Sequence, residues 1–159
     1  MFARFAVVLA AGLFVLTGCA PKFRVDVPQG WKVVDEQQDE AGSMMKMLSP
    51  VQDERIKVLV GCSPDEEGAM ETAVAQNLAA ILQVGGQITE FDAAEDHSVV
   101  RLSAIIENED AGQLTAKLVL KKDSKGKGKM LTIVGIWPAD QDAVIGPDFD
   151  KIVASADFR

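Results

Sequence analysis

Lys129-Met130-Leu131-Thr132-Ile133-Val134-Gly135-Ile136-Trp137 decides the fold. Successive side chains of a strand point to opposite faces. Met130, Thr132, Val134 and Ile136 therefore share one side, and Leu131, Ile133, Gly135 and Trp137 the other. Both sets are largely apolar, as expected of a central strand covered on both sides. The preceding segment, Gly112 to Lys122, sets Leu114, Ala116, Leu118 and Leu120 against Thr115, Lys117, Val119 and Lys121, so one of its faces is buried. With His97 to Glu107 these runs form a meander, and Gln87 to Asp92 is a shorter strand ahead of it.

Further upstream the period changes. Ser63-Pro64-Asp65-Glu66 fits a capping box, with Pro64 at the first helical position and Asp65, Glu66 and Glu67 at the positive end of the dipole. Met70, Val74, Leu78, Ile81 and Leu82 form an apolar stripe, and Gly85-Gly86 ends the helix. Before it, Phe23 to Val27 alternates like a strand, and Val27-Pro28-Gln29-Gly30 places proline and glycine as a type I turn wants them. Trp31 to Val34 resumes extended structure, Asp39-Glu40-Ala41-Gly42 turns, and Ser43 to Leu48 and Arg55 to Cys62 read as two more strands. A last helix starting at Pro147 puts Phe149, Ile152, Val153 and Ala156 on one face. The expected fold class is α/β in the α+β sense: an α/β/α sandwich whose mostly antiparallel sheet is flanked by helices, one domain over residues 23–159.

Val27-Pro28-Gln29-Gly30-Trp31 resembles the V-P-x-G-W entry of the Mog1/PsbP-like superfamily, which includes DcrB-type bacterial lipoproteins. The Ser63-Pro64 helix entry, the long meander and the closing Ile152-Val153-Ala154-Ser155 with Phe158 follow the order of that superfamily. The resemblance implies an α/β/α sandwich used as an accessory or binding module, and no chemistry. The chain has no tyrosine and a single histidine, which departs from PsbP itself.

The N-terminus carries the sharpest localisation signal. Leu16-Thr17-Gly18-Cys19 resembles a bacterial lipobox, cut between Gly18 and Cys19 and lipidated on Cys19. Phe5 to Leu16 is apolar apart from Gly12 and too short to cross ~30 Å of hydrocarbon. Residues 1–18 thus read as a lipoprotein signal peptide and 19–22 as a lipidated N-terminus with a very short tether. Several acyl chains on one residue anchor stably where one does not. Ala20 is not the aspartate associated with inner-membrane retention, so the outer membrane, facing the periplasm, is the expected address.

Charge and residue counts narrow the chemistry. The net charge is −8, and −9 once the leader with Arg4 is gone, which argues against nucleic acid and broad adhesion to anionic lipid. Lipidation of Cys19 would leave Cys62 without a disulfide partner, best read as a small buried hydrophobe closing a strand. His97, the only histidine, lies in a polar turn with Asp96 and Ser98 and lacks a nucleophile elbow, so no catalytic residue is assigned. The acidic clusters lack calcium-loop spacing, and alternation sets Met44 opposite Met45 and Met47, so neither a metal site nor a cofactor is expected. Lys121, Lys122, Lys125, Lys127 and Lys129 crowd one hairpin, with Lys117 behind them, and are the candidate contacts to headgroups or to an acidic partner. The expected function is that of a non-enzymatic, lipid-anchored accessory for an envelope protein. A carrier of lipid or another apolar ligand is the alternative, and a carboxylate-based hydrolase the second.

Overall fold

The computed structural model describes residues 23–38, 43–123 and 128–158. The expected Asp39–Gly42 turn, the lipobox with Gly18 and Cys19, and Lys125 and Lys127 lie outside these residues. Seven strands form one antiparallel sheet in the order β2-β3-β4-β8-β7-β6-β5. They are β2 (Trp31–Gln38), β3 (Met44–Pro50), β4 (Lys57–Pro64), β5 (Gln87–Ala93), β6 (Val99–Asn108), β7 (Gly112–Lys122) and β8 (Lys129–Pro138). Helix α1 (Ala69–Gln83) connects β4 to β5, and α2 (Asp142–Ser155) follows β8. Two short strands, β1 (Phe23–Arg24) and β9 (Asp157–Phe158), pair with each other and tie the chain's two ends together.

β8 is the central strand its sequence predicts. It pairs with β4 on one side and β7 on the other, and it feeds a separate core on each face. Leu131, Ile133 and Trp137 join Leu48, Val58, Val60 and Cys62 beneath Phe149, Ile152 and Val153 of α2. Met130 and Val134 join Leu102, Leu118 and Leu120 beneath Met70, Ala73 and Ile81 of α1. The result is the three-layer sandwich expected from the order of elements.

Two helix boundaries differ from the sequence reading. Ser63 and Pro64 continue β4, opposite Met130 and Lys129, and α1 begins after Gly68 (φ +78°) with no side-chain cap. Pairing with β8 outweighs the local capping pattern. α2 begins five residues before Pro147, after a 3-10 turn at Ala139–Gln141, and carries that proline inside it. The proline omits the bond an N–H there would make to the carbonyl of Ala143. The buried side of α1 is also rotated: Met70, Ala73, Asn77 and Ile81 face the sheet, whereas Leu82 is exposed. Its C-terminus is a Schellman motif as expected, with Gly86 N–H on Ile81 O (2.8 Å) and Gly85 N–H on Leu82 O (3.1 Å).

Candidate interaction surface

The described chain enters at the end of the sheet that carries the lysine-rich hairpin. Phe23 is paired with Phe158, directly after α2, and the Lys121 ammonium donates to the carbonyls of Val153 and Ala156 at the same helix end. A cation there complements the helix dipole. Burial, with Arg101 adding to it, holds that ammonium below the ordinary lysine range. From Arg24 the chain runs back along α2, where Asp26 N–H meets Ser155 Oγ at 3.0 Å, and turns at Pro28–Gly30 into β2 at the opposite end.

The candidate lysines do not share one face. Lys121 and Val119 lie on the α2 side, whereas Lys122 is opposite Met130 on the α1 side and faces Asp65 at 3.8 Å. That distance is an ion pair without a hydrogen bond, and Asp65 Oδ1 has no hydrogen-bond partner. Burial consequently raises the Asp65 carboxyl above its usual range despite Lys122. Asp65 N–H on Gly128 O (2.7 Å) and Lys122 N–H on Ser98 O (2.8 Å) fasten the hairpin base to the neighbouring loops. Lys129 lies opposite Pro64. Lys117, further along, pairs with Asp142 at 3.7 Å and sits over the Trp137 ring.

Other residues weighed from the sequence fall as follows. Cys62 is fully buried, and burial pushes its thiol up to about 12, so it packs as a hydrophobe. His97 occupies a left-handed turn position (φ +54°), where Asp96 accepts from Ser98. Met44 pairs with Cys62 on the α2 side, and Met45 and Met47 lie on the other. Among the described residues, no three His, Cys, Asp or Glu side chains gather as a metal-binding group. No described helix is long and apolar enough to cross a membrane.

Both helices lie close on the sheet. A Cβ at Gly135 would stand 2.5 Å from Trp137 Cζ3 and 2.9 Å from Phe149 Cδ2, and one at Gly86 would stand 2.5 Å from Ile81 Cγ2. At neither point is there room for even a methyl group.

The sequence gave no sign of a group of exposed aliphatic side chains at the far end. Val27, Val33, Val51 and Val144 are 39%, 41%, 56% and 70% exposed. Contacts to Trp31 bring them together: Val51 N–H bonds Gly30 O, Trp31 pairs with Pro50, and Asp148, one turn beyond Val144, accepts from Trp31 Nε1. Four valines in four separate segments have no shared period, so only the folded chain reveals them.

No family model matches the chain, and no curated protein does. Solved structures do. The Ran-binding protein Mog1p of Saccharomyces cerevisiae matches 88% of this chain and 96% of its own, with 10% identity and a TM-score of 0.52. The cyanobacterial PsbP of Synechocystis covers 92% and 96%, with 12% identity and a TM-score of 0.54. The chain has the Mog1/PsbP-like fold. LpqN of Mycobacterium tuberculosis, described as involved in cell envelope biogenesis, has the same fold, with 10% identity, a TM-score of 0.51 and 88% and 84% coverage. Identities this low speak for the fold alone.

Proposed function

We propose that the protein is a lipid-anchored module of the cell envelope that binds a partner at the membrane surface and catalyses nothing itself. The observation that supports it most is where the folded chain starts. Phe23 is already paired in a strand, four residues after Cys19, and four residues span at most ~14 Å. An acylated Cys19 would hold the hairpin end of the sandwich against the bilayer, with Lys121, Lys122, Lys125, Lys127 and Lys129 within reach of headgroups or a membrane-bound acidic partner. The outer membrane, facing the periplasm, is the proposed site. The shared fold with an envelope-biogenesis protein is in keeping with this reading. The closed helix–sheet contacts at Gly135 and Gly86 speak against the carrier alternative.

Cys19→Ala should move the protein from the membrane to the soluble fraction, and the wild-type N-terminal peptide should carry acyl mass. Unchanged fractionation would sink the anchor. Neutralising Lys122, Lys125, Lys127 and Lys129 together should weaken a salt-sensitive contact, read as liposome or partner retention; unchanged retention makes the hairpin a solvated edge.

A further inference from the structure

We infer that the valine cluster around Trp31 is a contact surface for a second copy of this chain. Val27, Val33, Val51 and Val144 are four of the six large apolar side chains that are exposed among the described residues. The other two, Leu82 and Phe91, lie on α1 and on β5, the edge strand furthest from β2. Clustered exposure of this kind marks an interaction site more often than scattered single residues do.

The charges around the cluster favour a like partner. Lys32 pairs with Glu54, Arg55 with Asp53 at 2.7 Å, and Lys151 with Asp148 at 2.8 Å. In a chain with a net charge of −8, most approaches of two copies are repulsive. This patch presents aliphatic groups inside a ring of already neutralised charges, so its own twofold image meets it without like-charge cost. Its place in the fold also fits. The cluster lies at the Pro28–Gly30 end of the sheet, away from Phe23. Two copies anchored through Cys19 therefore carry it at the same height, on a twofold axis normal to the membrane. This last step rests on the anchored reading; the apolar cluster and its ion pairs do not.

The test uses the full chain in its native membrane with a bifunctional maleimide. Cys62 is fully buried and gives no background. Val144→Cys should yield a cross-linked dimer several-fold more abundant than Thr89→Cys, an exposed position on β5. Adding Val51→Glu to Val144→Cys should reduce the dimer about tenfold or more, because the introduced carboxylates face each other across the axis. Equal cross-linking at 144 and 89, no dimer at 144, or indifference to Val51→Glu overturns the proposal. Failure of the anchor shows separately: wild-type chain that reacts with maleimide through a free Cys19 thiol disproves lipidation while leaving the comparison of 144 with 89 intact.

Discussion

Trp31 shows how a short local motif is completed by a distant residue. The Pro28–Gly30 turn, closed by Trp31 N–H on Pro28 O (3.0 Å) with Gly30 at φ +82°, delivers the indole to α2. There Nε1–H donates to Asp148 Oδ2 at 2.9 Å, and Lys151 donates to the other oxygen of that carboxylate. The turn was legible in the sequence because proline and glycine fix it locally. The acceptor was not, since 117 residues separate the pair and nothing in either segment names the other. Trp31→Phe keeps most of the buried ring and removes the donor. A hydrogen bond to a charged group is worth about 1.5–3 kcal/mol, so the urea midpoint should fall accordingly. An unchanged midpoint would mean that Lys151 and water satisfy Asp148 without the indole.

At the level of the elements, strands were read more accurately than helix starts. β7 coincides with its predicted limits, Gly112 and Lys122, because alternation over eleven residues is a strong periodic signal. Ser63 and Pro64 misled because a capping box is a preference of four residues, worth about 1 kcal/mol, and strand pairing with Met130 and Lys129 outweighs it. The two readings differ measurably. If Ser63 capped a helix, Ser63→Ala would cost about 1 kcal/mol; in β4 the change should stay within ~0.5 kcal/mol in chemical denaturation. Gly135 gives the converse case in the same sheet. Gly135→Ala should destabilise by about 1–3 kcal/mol, because Trp137 and Phe149 must both move to admit the methyl. A neutral Gly135→Ala would show that the α2 layer is looser than its contacts imply.

Across the whole molecule the two layers on the sheet are unequal. The α2 side holds Phe23, Trp31, Trp137 and Phe149, with the two indoles bonded to aspartates of α2 itself. It is further fastened by Lys121 at the helix's end and by the β1–β9 pair. The α1 side is built from aliphatic residues and methionines and buries Asn77, whose amide donates to Ala73 O while Oδ1 has no partner. A buried unsatisfied acceptor costs about 1–3 kcal/mol. The sequence placed both helices on the sheet but could not rank them, because Asn77 falls outside the apolar stripe and looked like a solvent position. Local opening follows the weaker layer. In native-state hydrogen exchange, amides of α1 should therefore exchange at a lower opening free energy than those of α2. Asn77→Leu, which fills similar volume without the orphan oxygen, should raise the protection of α1 and the global stability together by about 1 kcal/mol or more. Equal protection of the two helices, or a loss of stability on Asn77→Leu, would show that the Asn77 carbonyl is satisfied by water and that the layers open as one unit.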